Sequence, residues 1–160
     1  MKIKFFTLGG TIDKVYFDAM SRYEVGPPRV KEILKEARVN FEYSIKSLAK
    51  KDSLDMTDAD RKRLVDALLT DDCDRIVVTH GTDTMVDTAM ALKAVKGKTI
   101  VLTGAMEPAG FKSSDATFNL GFAIAAAQTL SHGVYIAISG RIFDPARVRK
   151  NRELKQFEEK

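Results

Sequence analysis

The stretch Arg75-Ile76-Val77-Val78-Thr79-His80-Gly81-Thr82-Asp83-Thr84-Met85 decides the fold of this chain. Five residues of buried-strand character run into a glycine, and the chain restarts at once as a helix. A short apolar run bounded by a turn signal reads as a strand buried in a sheet core. A second stretch, Thr7-Leu8-Gly9-Gly10-Thr11-Ile12, repeats the plan: a strand, a glycine break, and a threonine where the backbone turns. In an open parallel α/β sheet, ligands sit outside the carboxyl ends of the strands. The two turns therefore aim Thr11 and Thr82 into one crevice. The helix opened by Thr82–Met85 also turns unpaired N–H groups and its dipole toward that edge, which suits a carboxylate or an oxyanion.

The same alternation continues outward. Ile3 to Thr7 reads as a strand, and Val30, Ile33, Leu34 and Ala37 mark a helix after the Gly26-Pro27-Pro28 break. Phe41 to Leu48 alternates with period two, the mark of a half-buried strand. Thr57 reads as an N-cap, with Asp58 and Asp60 in the first turn and a stripe of Leu64, Val65, Leu68 and Leu69 behind it. A helix runs from about Thr84 to Val95 and stops at Gly97, where a C-terminal glycine is common. Thr99 to Leu102 is a strand, Asp115 opens an alanine-rich helix through Ala127, and Val134 to Ile138 reads as the last strand. Strands alternating with helices imply a mostly parallel sheet with helices on both faces. Gly9, Gly10, Thr11, Ser53, Asp55, Gly81, Thr82, Asp83, Gly104 and Ser139-Gly140 all follow strands, so small and hydroxyl residues collect along one edge of that sheet.

Composition narrows the function classes. At 160 residues, with 44% apolar and 30% charged residues, the chain fits one globular domain able to build a core. The formal charge of +4 is mild, and the basic residues are interleaved with acids. Arg61-Lys62-Arg63 reads as the solvated face of a helix. A nucleic-acid footprint wants a denser basic stripe with stacking aromatics, so nucleic acid is not an expected partner. No apolar run approaches the ~20 residues that span a bilayer, so a membrane is not expected either. The single Cys73 has no internal disulfide partner, and its run Asp71-Asp72-Cys73-Asp74 disfavours a thiolate nucleophile. With no signal-peptide pattern at the N-terminus, the expected home is the cytoplasm.

At these residues the sequence resembles the bacterial-type L-asparaginase family. Thr7-Leu8-Gly9-Gly10-Thr11-Ile12 is similar to that family's first active-site signature, and His80-Gly81-Thr82-Asp83-Thr84-Met85 matches the second without a break. Val101–Met106 and Phe118-Asn119-Leu120 resemble family segments further on. The resemblance covers the family's N-terminal domain only. It implies a single flavodoxin-like, Rossmann-like three-layer α/β domain over residues 1–160, with a charged tail from about 146.

It also implies roles. Thr11 would be the nucleophile that attacks a side-chain amide, and Tyr23, on a mobile loop, would assist it and close over the substrate; Tyr16 fits that position less well. Thr82, Asp83 and Lys150 would form a second hydroxyl–carboxylate–lysine group, since a desolvated lysine can act as base toward a threonine hydroxyl. Asp83 would also bind the substrate's α-ammonium and Ser53 its α-carboxylate, with Gly10, Asp55, Gly81 and Thr82 completing the binding set. The oxyanion would rest on backbone N–H groups of the glycine turns, where one donor is worth about 2.7–4 kcal/mol of barrier. The reaction is hydrolysis of L-asparagine to L-aspartate and ammonia, with glutamine or another tethered amide as alternatives. It needs no metal or cofactor, and no His/Cys cluster offers a metal site. A homo-oligomer, dimer or tetramer, is expected.

Read without the resemblance, each residue has a plainer role. Thr11 alone reads as a turn or N-cap residue, Thr82 and Asp83 as a helix start, and Lys150 as one more charge in a basic tail. His80 reads as a hydrogen-bonded structural residue, and His132 as a solvated one. Three departures from the long enzymes stand out. The second domain is missing from this sequence, Leu54 stands where a substrate-binding glutamine is common, and Glu107 replaces a basic residue. The tail Glu153–Glu158 is compatible with a helix that packs on a neighbour, and the charged end favours a complete gene product. The rival to an enzyme is an amino-acid-binding or regulatory module that keeps the crevice without turnover.

Overall fold

The structure, a computed structural model, describes residues 1–160. Strand β1 (Lys2–Gly9) ends at the glycine pair. A 3-10 turn, Thr11–Asp13, leads into a hairpin of β2 (Lys14–Phe17) and β3 (Arg22–Val25). The diproline Pro27-Pro28 then precedes α1 (Val30–Glu36), β4 (Glu42–Lys51), a 3-10 turn at Ser53–Asp55 and α2 (Asp58–Thr70). Next come β5 (Arg75–Thr79), α3 (Met85–Leu92), β6 (Thr99–Thr103), α4 (Ala116–Thr129) and β7 (Gly133–Ile138). The chain closes with β8 (Arg141–Phe143), a 3-10 turn at Pro145–Arg147, and a second hairpin of β9 (Val148–Asn151) and β10 (Gln156–Glu159).

Six strands form the central sheet in the order β4-β1-β5-β6-β7-β8. The first five are parallel, and only β8 runs against its neighbour β7. From β1 the chain steps outward to β4, then crosses back to β5 and proceeds the other way. The reversal makes the gap between the ends of β1 and β5 the topological switch point, where such sheets bind ligands. Thr7 and Thr79 are register partners there, so the turns that follow them leave the sheet side by side.

Two cores sandwich the sheet. Phe6, Ile76, Val78 and Leu102 face Leu64 and Leu68 of α2 and Met85, Ala89 and Leu92 of α3. Phe5, Val77 and Val101 face Ile33 and Leu34 of α1 and Leu120, Ala123 and Ala127 of α4. Alternate residues of the same strands feed opposite cores, as the period of two requires. Thr57 caps α2 in a reciprocal box: its hydroxyl accepts from Asp60 N–H at 3.2 Å, and Asp60 accepts from Thr57 N–H at 3.0 Å. Lys51 also donates to Asp60 at 2.7 Å, chiefly holding that carboxyl down to about 2.

Four expectations change. Ile138 does not end the last strand: Ser139 (φ 51°) and Gly140 (φ 76°) make a two-residue hairpin turn into β8. The tail is neither a helix nor a loose charged end. It is the β9–β10 hairpin, because Phe157 buries itself with Phe143 and Val148 in the α2–α3 core and overrides local helix propensity. The segment bearing Tyr23 is an antiparallel hairpin rather than a loop, with Tyr16 and Tyr23 directly opposed. Arg61, read as solvated, folds back to donate to Thr88 Oγ1 at 3.3 Å and pairs with Asp58.

Candidate active site

The turns after β1, β4 and β5 meet backbone to backbone. A Cβ on Gly10 would lie 2.4 Å from both Cα and N of Gly81, and one on Gly81 would lie 2.5 Å from Ser53 Cβ. Gly10 also sits at φ +89°, which a side chain makes costly. Only glycine lets these three turns approach so closely. Thr11 and Thr82 are the next residues along two of them, so the contact ties the threonines to each other. Thr82 is 5% exposed, while Thr11 is half-buried at the surface of the crevice.

The far end of the chain completes the cluster. Lys150 Nζ donates to Thr82 Oγ1 at 2.6 Å and to Asp83 Oδ1 at 2.7 Å. Lys150 stands opposite Phe157 in the β9–β10 ladder, so the anchored phenylalanine fixes the strand from which the lysine reaches. Ser53 is buried beside them: its hydroxyl accepts from Asp83 N–H at 3.2 Å, and its carbonyl accepts from Thr84 Oγ1 at 2.6 Å. Thr82, Asp83, Lys150, Ser53, Gly10 and Gly81 thus form one connected group.

His80 sits beneath this group, fully buried. Its Nδ1 lies 2.6 Å from the Gly81 carbonyl, which can only accept, so Nδ1 carries the proton. Its Nε2 then accepts from Thr88 Oγ1 at 2.8 Å. Burial pushes the imidazole down to about 4, so it is neutral at pH 7. With its only lone pair taken, His80 is a strut for the Gly81 turn rather than a base.

The hairpin side is more open. Tyr23 is 47% exposed, and its ring lies 5.3 Å from Tyr16 and 5.6 Å from Phe111 between centroids. A cleft lined by Tyr23, Lys14, Glu24, Lys51, Asp52 and Asp55 separates β3 from the end of β4. Asp55 is therefore grouped with Tyr23 in this cleft rather than with the Thr82–Lys150 cluster. The Lys14 ammonium, 2.8 Å from Asp52, holds that carboxyl below its usual range. Leu54 projects 64% exposed beside these groups, and its side chain offers no hydrogen bond.

Three further contributors escape a reading by motif. Arg152 Nε lies 3.6 Å from Asp83 Oδ1, placing a second cation on that carboxylate. Asp115 accepts from the N–H groups of Met106 and Glu107, and from Asn119 Nδ2 at 2.8 Å. Asn119 in turn donates to the Gly104 carbonyl and accepts from Ser139 N–H, bracing the ends of β6 and β7. The third, Asp13, lies buried at the root of the hairpin. Its sequence signal was its position two residues beyond Thr11.

Comparison with known proteins follows the same lines. Residues 2–158 match the model of the family described as asparaginase, N-terminal. An L-asparaginase of Thermococcus kodakarensis is 40% identical over 83 residues, covering 50% of this chain and 25% of that protein. L-asparaginase 2 of Escherichia coli is 39% identical over 87 residues, covering 49% and 25%. Among solved structures, the thermostable L-asparaginase from Thermococcus kodakarensis superposes with a TM-score of 0.86 at 29% identity, covering 99% of this chain and 51% of its own. The probable cytoplasmic L-asparaginase from Campylobacter jejuni gives 0.81 at 29% identity, with the same coverage. The chain thus spans about half the length of the solved relatives it matches.

Proposed function

The chain belongs to the asparaginase family, matching that family's N-terminal domain, and from that premise we propose that it is an amidohydrolase converting L-asparagine to L-aspartate and ammonia. The observation that carries the reading is the Lys150 ammonium, bonded at once to Thr82 and Asp83 across more than sixty residues of sequence. A surface lysine has no reason to be threaded between a buried hydroxyl and a carboxylate at a sheet's switch point. A binding site for an amino acid has no need of two hydroxyls, one of them joined to such a pair.

The reaction runs in two steps. Thr11 Oγ1 forms a bond to the amide carbon, and its proton passes by way of Tyr23 to the leaving nitrogen. The carbonyl oxygen gains the negative charge and rests on N–H groups of the glycine turns, which are already fixed by the Gly10–Gly81 contact. The C–N bond breaks, ammonia departs, and an ester to Thr11 remains. Lys150 then lends a proton to Asp83 while its amine takes one from water through Thr82, and as the ester breaks the first returns to Lys150 and the second passes back through Thr82 to the Thr11 oxygen. The water oxygen attacks the ester, aspartate leaves, and Thr11 recovers its proton. Ser53 holds the substrate's α-carboxylate and Asp83 its α-ammonium, with Asp55 at the outer cleft. The apolar Leu54 weakens the grip on the amino acid, so KM is high.

We place this chemistry in the cytoplasm, in keeping with the lone buried thiol of Cys73, and assign the working form to a homo-oligomer. No helix is long and apolar enough to cross a membrane.

The test is ammonia release from L-asparagine and L-glutamine by the whole chain, beside Thr11→Ala and Thr82→Ala. Turnover in wild type that both substitutions abolish supports the reading, with asparagine the faster substrate. Binding of asparagine without ammonia, in a folded protein, rejects it and favours the binding module.

A further inference from the structure

Asp13 is 1% exposed and takes no part in the chemistry above. It is the residue at which the chain leaves the Thr11 turn and enters the hairpin, and it makes three bonds there. Its N–H donates to the Gly10 carbonyl at 3.1 Å. Its carbonyl accepts from Gly26 N–H at 2.8 Å, and its Oδ1 accepts from Arg29 N–H at 2.9 Å. Gly26 and Arg29 flank Pro27-Pro28, which have no N–H to offer and a fixed φ. One residue therefore holds both ends of a stiff segment on which β3, and with it Tyr23, returns to the core. Only the third bond needs the side chain.

That side chain is costly to keep. Asp13 Oδ2 is buried with no partner, and so is the Nε of Arg29 nearby. The charged groups that act on the carboxyl are Arg29, just before α1, and Lys50 on β4. Of the hairpin's own charges, Lys14 pairs with Asp52 and Arg22 with Glu24, while Asp18 lies exposed in the turn at the far tip. Neither nearby cation forms an ion pair with Asp13.

We propose that Asp13 is the positioning residue that sets the Tyr23 hairpin over the Thr11 turn, and that the charge on its half-satisfied carboxylate is what lets the hairpin lift. The positioning half rests on the roles proposed above for Thr11 and Tyr23; the lifting half does not. Burial raises the Asp13 carboxyl to about 6 in the closed form. A hairpin that lifts lets water reach the group and returns it toward an ordinary carboxylate value near 3.9. Lifting is then favoured as pH rises through 6, because the open form releases the proton more readily. Below that pH the neutral acid sits in the closed root at no charge penalty. Near neutrality the root is strained and the hairpin opens more often, which suits a flap that must admit a substrate.

Hydrogen exchange of residues 14–25, corrected for intrinsic rates and followed from pH 5 to 8, reads the lifting without any substrate. Wild-type protection falls up to about tenfold across that range, the part of the hundredfold span of two pKa units that lies above pH 5. Asp13→Asn keeps an acceptor for Arg29 N–H, removes the charge, and makes the profile flat and high. Asp13→Ala, lacking the acceptor, is poorly protected at every pH. An Asp13→Asn profile that still falls like the wild type overturns the proposal, and so does an Asp13→Ala hairpin as protected as the wild type. In turnover, Asp13→Ala lowers kcat more than it raises KM, and adding it to Tyr23→Phe costs nothing further. Full additivity of the two overturns the positioning role. A chain that releases no ammonia refutes the hydrolase and the positioning role together, and leaves the exchange result standing for the lifting.

Discussion

The two halves of the site are built from different material. The Thr82–Asp83–Lys150 half is set into the sheet, its turns are locked by glycine-to-glycine contact, and a buried histidine props it from below. The Tyr23 half is a four-residue strand in a two-stranded hairpin, its aromatic rings largely in water and its root held by Asp13. An isolated two-stranded hairpin is marginally stable in water. Close packing is thus concentrated at the glycine turns, and looser packing at the hairpin.

Four substitutions sharpen or break that contrast. Lys150→Met leaves the fold intact, since Phe157 anchors the strand, and lowers kcat about a thousandfold, within the range typical of a lost acid–base group. An unchanged kcat would remove the rigid half from the chemistry. Gly10→Ala forces a Cβ into the Gly81 backbone and strains φ; about 3 kcal/mol of stability goes by denaturant titration, with activity lost alongside. A stability change under about 0.5 kcal/mol would mean that the turns are not locked. Phe111→Leu, which removes a ring beside Tyr23 but no hydrogen bond, costs about 1 kcal/mol in kcat/KM and little in melting temperature.

The fourth substitution, equal in size to Gly10→Ala, turns on pH. Asp13 is raised to about 6 in the fold, so its stabilising contribution is complete below 3.8 and is lost as pH rises through 6. His80 is lowered to about 4 from 6.5, so its contribution is complete above 6.5 and is lost as pH falls through 4. Each spans about 3 kcal/mol, with opposite sign and nearly the same window. In the wild type they offset one another, and the chain is roughly pH-insensitive between 4 and 6.5 on their account. Asp13→Asn unmasks His80: stability by urea titration falls by about 3 kcal/mol between pH 7 and pH 4. A flat profile in Asp13→Asn would show that His80 is not buried as described.

The same contrast governs what the amino-acid sequence reveals. Ile76–Val78 and Phe5–Leu8 announce buried strands because both their faces are apolar, and Gly81 and Gly10 punctuate them clearly. Thr57 and Asp60 announce a helix start through a local, reciprocal bond. The sheet, its helices and the pairing of the two threonine turns were therefore legible. The hairpins were not. Lys14–Val25 is exposed on its tyrosines and split by Asp18–Met20 into two strands of four residues, too short for their period to give a clear signal. Ser139-Gly140 was a turn signal, but β8 is only three residues long. Glu153–Glu158 favours a helix locally, and only the distant pocket for Phe157 makes it a strand. Lys150 is found by motif, yet the contact that gives it meaning is tertiary. Arg152 carries no local pattern at all, and Asp13 only its place two residues beyond Thr11, because their partners lie across space.

The most direct measurement is the site of the covalent intermediate. The chain is mixed with L-asparagine, quenched in acid within the first turnover, digested with trypsin and mapped by mass spectrometry. An aspartyl adduct on the peptide Phe5–Lys14 that disappears in Thr11→Ala, with Ile76–Lys93 unmodified, is the predicted result. An adduct on Thr82 instead, or ammonia release that survives Thr11→Ala, would contradict the division of labour between the mobile hairpin side and the rigid turn.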